Sequence, residues 1–296
     1  MAMTQAPLAL EPLSVQAFFD TATNTVSYLL VDPDTRAAAI IDPVLDFDPK
    51  AGRLSTASAD RLLAAVAEQN LNLHWILETH AHADHLSAAD HLRAVTGARI
   101  VIGEQITQVQ KGFGDLFEAD DVDPDGGVFD LLVRDGDQIP LGGRMIEVLH
   151  TPGHTPACVS YRIDDAIFVG DTLFMPDYGT ARADFPGGDA ATLYRSIRKI
   201  LALPPRTRIF IGHDYLPAGR ETFAWETTVA EQRAANVHVH DGVEETDFVA
   251  MRQARDATLA APTLILPALQ VNIRAGALPP ASPSGRVFLK LPVNAL

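Results

Sequence analysis

The chain has 296 residues, with 23 basic against 38 acidic side chains for a formal net charge of −15; hydrophobic residues make up 47% and charged residues 21%. That composition suits a globular fold with a large core, and so acidic a chain is poorly matched to nucleic acid or an anionic membrane, so neither is an expected partner. The single cysteine, Cys158, excludes an intramolecular disulfide and a cysteine-rich metal site, while residues 1–12 lack a cationic stretch or a signal-length apolar run and nothing later could span a bilayer, which makes the cytoplasm the expected location.

Residues 26–31 and 37–41 are apolar runs joined by Asp32-Pro33-Asp34-Thr35, the pattern of a hairpin ending at Asp42-Pro43. Leu62, Leu63, Val66 and Ala67 predict a helix over 58–69, and the run 73–77 predicts a strand directly after it. At the end of that strand stands Thr79-His80-Ala81-His82-Ala83-Asp84-His85, three imidazoles and a carboxylate within six residues. Side chains alternate along a strand, so His80 and His82 can point the same way. Asp84 and His85 then fall at a turn, with Asp84 in an N-cap-like position before a helix whose apolar face is Leu86, Ala89, Leu92 and Val95. One short segment can thus serve two adjacent metal positions.

Gly97 ends that helix and 99–102 forms the next strand, giving a β-α-β-α-β rhythm and a layered α/β architecture. Over 104–130, Ile106, Val109, Phe113, Leu116 and Phe117 suggest a helix that Gly112 and Gly114 weaken; residues 120–127 read as a solvated acidic loop without EF-hand spacing. Strand pairs follow at 137–141 with 144–149 and at 159–163 with 166–169, the second turning at Asp164-Asp165. Cys158, just before that second pair, reads as a small buried packing residue. Asp189 is a candidate N-cap for a helix carrying Leu193, Ile197, Ile200 and Leu201, and 208–211 is a further strand. Helices over 221–235 and 245–260 and a proline-rich tail complete the chain. With no internal repeat and no low-complexity linker, 14–296 reads as a single domain with a C-terminal helical segment over about 220–260 and a tail.

Three further ligand-type residues repeat one placement. His154 follows the strand ending at Leu149 through Thr151-Pro152-Gly153, Asp171 follows 166–169 through Gly170, and His213 follows 208–211 through Gly212. Glycine lets backbone approach a site closely, and strand-end loops are where function collects on an α/β scaffold. His74, His91, His150, His238 and His240 lack such context and receive no role. The ligand types alone suit zinc and iron alike.

His80-Ala81-His82-Ala83-Asp84-His85 followed by His154, Asp171 and His213 resembles the metallo-β-lactamase superfamily, which implies an αββα sandwich. Thr151-Pro152-Gly153-His154-Thr155, Gly170-Asp171, Arg182-Ala183-Asp184-Phe185 and Gly212-His213-Asp214-Tyr215 are similar to the glyoxalase II and persulfide dioxygenase branch. The stretches 225–233 and 268–276 are similar to bacterial persulfide dioxygenases, so the resemblance covers about 14–295. It implies that His80, His154 and Asp171 hold one Fe(II) per chain, with His82, Asp84, His85 and His213 orienting those ligands. The implied reaction oxidises glutathione persulfide, or a related low-molecular-weight persulfide, with O2 to sulfite and thiol.

In the alternative, glyoxalase II reading, two zinc or mixed metals are held, one by His80, His82, His154 and Asp171 and the other by Asp84, His85, Asp171 and His213, for hydrolysis of a thioester. The resemblance also implies that Arg182 and Tyr215 contact glutathione. Arg233 and Arg274 are further candidates for its carboxylates, against an equal expectation of structural ion pairs. A homodimer is expected from the resemblance alone. The chain departs from the animal-type enzyme, which has threonine in place of Ala183, and its 104–130 segment is longer. It also lacks a rhodanese-like cysteine loop, so a sulfurtransferase step would require a partner protein. A non-enzymatic metal- or sulfide-responsive binding protein is the third reading; the seven filled ligand positions argue against it.

Overall fold

Successive strand side chains point to opposite faces, and in this chain both faces of two sheets are apolar, so each sheet needs a cover on either side. In the computed structural model, which describes residues 11–295, the first half runs β1 (Ser14–Asp20), β2 (Thr25–Asp32), β3 (Ala37–Ile41), β4 (Val44–Asp48), β5 (Arg53–Ser55), α1 (Ala57–Glu68), β6 (Asn72–Leu77), β7 (Leu86–Ser87), α2 (Ala89–Thr96), β8 (Arg99–Gly103), α3 (Ile106–Phe117) and β9 (Leu131–Val133). The second half runs β10 (Gln138–Leu141), β11 (Arg144–His150), β12 (Val159–Ile163), β13 (Ala166–Phe168), α4 (Ala190–Leu201), β14 (Arg208–Phe210), β15 (Glu226–Thr228), α5 (Val229–Ala235), α6 (Glu245–Asp256) and α7 (Ile265–Asn272).

One sheet has the order β1-β2-β3-β6-β8-β9, and the other runs β10 to β15 in chain order. The outer face of the first carries Leu29, Ile40, Ile76, Ile100 and Ile102 against Leu62, Leu92, Val109, Phe113 and Leu269 of the helices. Its inner face, with Leu30, Ala39, Ile41, Leu77 and Val101, meets Ile146, Val148, Val159, Phe168 and Phe210 of the second sheet. Ile167, Val169, Ile209 and Ile211 turn the other way, onto Leu193, Ile197, Val229 and Phe248. Neighbours in sequence fall into different layers, so the period-two alternation itself generates the αββα sandwich. Each fully buried Leu, Ile or Phe contributes about 1.5–3 kcal/mol. Two buried tyrosines stitch the sheets together: Tyr28 donates to the Ile211 carbonyl at 2.6 Å and Tyr161 to the Glu78 carbonyl at 2.9 Å. Among the described residues no helix is long and apolar enough to cross a membrane.

Several sequence expectations need correction. Asp84 is not an N-cap: Leu86 and Ser87 pair as a short strand with Val44 and Leu45, and α2 begins only at Ala89. The expected helix over 221–235 is strand β15 followed by a short α5, whose capping box on Thr228 and Glu231 sets its start. α6 stops at Asp256 rather than 260. α3 forms despite its two glycines, because both lie where a side chain would meet open space while Val109, Phe113 and Phe117 face the core. The proline-rich tail contains α7, with Pro267 in its first turn, where a missing N–H costs little, and Ala268, Leu269 and Val271 buried.

Candidate metal centre

The ligand-type residues sit just past the ends of β6, β11, β13 and β14, and the sheets bring those ends together. Gly170 has φ +49°, and a Cβ there would stand 2.4 Å from Thr79 Oγ1; a Cβ on Gly212 would stand 2.8 Å from Asp171 Oδ1. Glycine at both lets the three strand-end loops close on one another.

The result is two adjoining clusters. Ligand atoms of His80, His154 and Asp171 lie within 4.8 Å of one another, as do those of His82, Asp84, His85 and His213. Asp171 joins them. Its Oδ2 is 4.0 Å from His80 Nε2 and 3.7 Å from His154 Nε2, while its Oδ1 is 3.2 Å from His213 Nε2. Asp84 Oδ2 approaches His213 Nε2 at 3.2 Å from the other side. His82 groups with the second cluster, and its Nε2 also lies 3.1 Å from Asp42 Oδ1 and 3.6 Å from Glu78 Oε2.

Hydrogen-bond direction orients four of the imidazoles. Thr79 Oγ1 donates to Asp42 Oδ2 at 2.7 Å, so it can only accept from His80 Nδ1, 3.0 Å away. The Arg182 carbonyl, an acceptor only, takes His154 Nδ1 at 2.8 Å. Thr23 Oγ1 donates to Asp20 Oδ2 at 2.6 Å, which leaves it to accept from Thr25 Oγ1 at 2.7 Å. Thr25 Oγ1, its proton spent, lies 3.4 Å from both His85 Nδ1 and His213 Nδ1. Each Nδ1 is thereby the donor, which turns each Nε2 toward the centre.

His80 Nε2, both nitrogens of His82, Asp84 Oδ2, His85 Nε2, Asp171 Oδ1 and His213 Nε2 are buried and lack a hydrogen-bonding partner. Leaving such an atom unsatisfied costs about 1–3 kcal/mol. Atoms from six residues gathered at adjoining positions, with imidazole and carboxylate chemistry, fit metal ions. Charge agrees with that use. Burial, with the neighbouring imidazoles, holds His80 and His82 well below the usual histidine range and so neutral. Burial would raise the Asp84 carboxyl, but the His213 charge and a His85 hydrogen bond outweigh it and hold Asp84 well down. Burial would lower His213, but Asp171, Asp84 and Asp42 outweigh it and raise it, so a cation held there would displace a proton from Nε2. Behind the ligands, burial pushes Asp42 up to about 6 and Glu78 well above the usual carboxylate range.

A cavity of about 540 Å³ opens on the centre, with Asp84, His154 and Asp171 at its floor, Phe47, Phe174, Tyr178 and Leu264 among its walls, and Arg182, Arg252 and Arg255 around it. Of the residues expected to touch substrate, Arg182 and Tyr215 line this cavity. The Tyr215 ring stacks on His213, with centroids 5.7 Å apart at 14°. The Arg182 guanidinium is already engaged: Nε and Nη2 hold Asp184 at 2.5 and 2.7 Å, and Nη1 donates to the Ala260 carbonyl at 2.7 Å. Arg233 and Arg274 do not reach the cavity; Arg233 pairs with Asp241 and Arg274 with Asp121, the structural ion pairs weighed against a substrate role. Cys158 is buried against Thr155, and burial pushes its thiol up to about 12, which leaves it an inert packing residue.

Sequence reasoning passed over several residues that build the site. Asp42 was visible only as the end of a hairpin. Asn272 donates from Nδ2 to the His82 and His85 carbonyls at 2.8 Å each and accepts from Ser87 N–H at 2.8 Å, clamping the ligand segment. Arg252 pairs with Asp256 at 2.6 Å and donates to the Thr180 carbonyl, while Asp256 accepts from Ala183 N–H at 2.9 Å; this latch holds the loop whose Arg182 carbonyl orients His154. Contacts made across more than seventy residues leave no local signal.

The two-sheet sandwich with metal-type ligands gathered at its strand ends defines a class. Residues 20–213 match the family described as the metallo-beta-lactamase superfamily, and the chain belongs to it. It is 54% identical over 295 residues to a probable metallo-hydrolase of Burkholderia pseudomallei (strain 1710b), covering 96% of this chain and all of that one. It is 32% identical over 274 residues to the mitochondrial persulfide dioxygenase ETHE1 of Homo sapiens, covering 92% of each. Among solved structures it is similar to ETHE1 from Myxococcus xanthus, with a TM-score of 0.72 at 32% identity over 89% of this chain and 100% of that one.

Proposed function

We propose that the protein is a persulfide dioxygenase that holds one Fe(II) per chain on His80, His154 and Asp171 and oxidises glutathione persulfide, or a related small persulfide, to sulfite. The observation that carries this is the trio itself: two imidazoles and one carboxylate, with His80 Nε2 buried and unsatisfied and with His154 and Asp171 lining a cavity large enough for a tripeptide thiol. The similarity to proteins bearing the persulfide dioxygenase name supports it. Ferrous iron held by these three residues would supply activation of O2. Overall, RSSH, O2 and water give RSH, sulfite and two protons.

The chain's own residues do the positioning. Thr79 and the Arg182 carbonyl keep the Nε2 lone pairs of His80 and His154 aimed inward. Phe174, Tyr178 and Tyr215 form an aromatic wall that keeps water from the reacting sulfur. In this reading His82, Asp84, His85 and His213 orient the ligands and tune the centre through Asp171.

A second reading, a thioester hydrolase with two metals, is favoured by one observation: the second cluster is complete in its own right and shares Asp171 with the first. The name of the Burkholderia relative agrees with it. Oxygen uptake by anaerobically iron-loaded protein on adding glutathione persulfide, with sulfite assayed and metal counted in wild type and in Asp84→Ala, separates the two. Sulfite matching O2, one iron per chain and iron retained in the variant uphold the dioxygenase. No uptake, two metals per chain and loss of one in the variant uphold the hydrolase.

A further inference from the structure

The loops after β13 and β14 each carry aromatic rings to the cavity: Phe174 and Tyr178 from the first, Tyr215 from the second. Ring centroids stand 5.0 Å apart between Tyr178 and Tyr215 and 5.8 Å apart between Phe174 and Tyr215. The first loop is fixed from behind: the Phe174 carbonyl accepts from Gln232 Nε2 at 2.7 Å, the Pro176 carbonyl from Val237 N–H at 2.9 Å and the Gly179 carbonyl from Asn236 Nδ2 at 3.1 Å. The second loop is anchored differently. Leu216 sits in the left-handed region at φ +46°, a strained conformation for a leucine that persists only where neighbours hold it. Asp214, 1% exposed, does the holding: Oδ1 accepts from Leu216 N–H at 3.3 Å and Oδ2 from Ala224 N–H at 2.7 Å, while Nη1 and Nη2 of Arg220 fork onto both oxygens. Arg220 Nε then reaches out to Asp177 Oδ2 at 2.9 Å, and among the described residues that is the one hydrogen bond joining residues 174–179 to residues 214–224.

We propose that Arg220 is a positioning residue: through Asp177 it holds the Tyr215 loop against the Tyr178 loop and so keeps the aromatic wall closed over the reacting sulfur. The inference rests on the proposed function for what lies behind the wall. The two limbs of the Arg220 fork differ in kind. The Asp214 limb is bidentate and buried, so it is little screened and Arg220 stays with its own loop. The Asp177 limb is a single bond to a carboxylate about half exposed, where water competes for it. The clasp is thus firm where it organises one loop and releasable where it joins the two. A wall that admits a substrate and then shuts out water needs that asymmetry. The competing role, an ion pair that only stabilises the fold, would move the melting temperature and leave turnover and access to the metal alone.

Asp177→Ala cuts the outer limb alone and leaves the buried pair intact, which avoids the misfolding that an unpaired Asp214 would invite in Arg220→Ala. In zinc-loaded protein the rate at which a chelator, EDTA, strips the metal should rise about tenfold in this variant. In iron-loaded protein given glutathione persulfide and O2, kcat should fall about tenfold while KM moves less than about twofold, because the wall serves the reacting sulfur rather than the rest of the substrate. Asp177→Asn keeps an acceptor for Nε and should restore most of both, and the melting temperature of either variant should stay within about 2 °C of wild type. Unchanged stripping and turnover in Asp177→Ala, equal losses in Asp177→Ala and Asp177→Asn, or losses that track a lowered melting temperature overturn the proposal. Failure of the dioxygenase reading looks different: iron-loaded wild type takes up no oxygen, yet zinc still leaves Asp177→Ala faster than wild type.

Discussion

The strand-end loops and the C-terminal segment from β15 to Gly276 meet at the same centre but contribute different things. The loops donate the atoms: every nitrogen and oxygen of the two clusters comes from 80–85, His154, Asp171 or His213. The C-terminal segment donates restraint. Asn272 fastens the backbone of the ligand segment, and the Arg252–Asp256 pair fastens the loop that orients His154. Ligand chemistry is therefore concentrated in short motifs, while ligand geometry depends on residues far along the chain. A substitution in the first region should change what is bound, and one in the second should change how firmly it is held.

The largest effect is expected at Asp171, where the two clusters share one carboxylate. Asp171→Ala removes a ligand from the trio and the neighbour of His213 at once. Metal per chain, measured after equilibrium dialysis against iron or zinc, should fall to near zero, a loss of affinity above about a hundredfold, with the far-ultraviolet circular dichroism unchanged. Retention of one full equivalent would show that the clusters do not depend on this bridge.

Asn272→Ala comes next and tests the restraint. It strands the His82 and His85 carbonyls and the Ser87 N–H in the interior, at a cost of about 3 kcal/mol, so the melting temperature should fall by roughly 5 °C or more. Metal affinity should drop about tenfold although no ligand has been touched. A variant that melts early yet binds metal at wild-type strength would make Asn272 a fold residue only.

This division explains what could be read from the chain before its structure. A layered α/β fold was legible from the β-α-β-α-β rhythm and the αββα sandwich from the resemblance its ligand motifs carry; that Leu29 and Val31 face one layer and Leu30 the other appears only in the folded chain. The ligand residues were legible because three imidazoles and a carboxylate crowd into 80–85 at a strand end, and His154, Asp171 and His213 each stand directly after a glycine at another. α7 was not: Pro262, Pro267, Pro279 and Pro280 bracket it, and its stability comes from packing on the first layer rather than from local propensity. Asn272 and Asp256 were illegible for a related reason, since a single Asn or Asp in a helix carries no hint of the loops it fastens. Arg233 and Arg274, read as carboxylate binders, have partners of their own that only the folded chain brings near.

The smallest effect is expected at Arg233, which lies in the same C-terminal segment as Asn272 but on its outside. Its guanidinium pairs with Asp241 at 2.9 Å, both side chains are about half exposed, and Arg198 also reaches Asp241. An exposed pair of this kind gains little, since water and salt screen it and two long side chains must be ordered to make it. Arg233→Ala should leave metal content, melting temperature and the KM for glutathione persulfide within error of wild type, measured beside Asn272→Ala in one preparation series. A raised KM with metal content unchanged would show that the segment supplies a substrate contact at Arg233, and the separation between donors and restraints would not hold there.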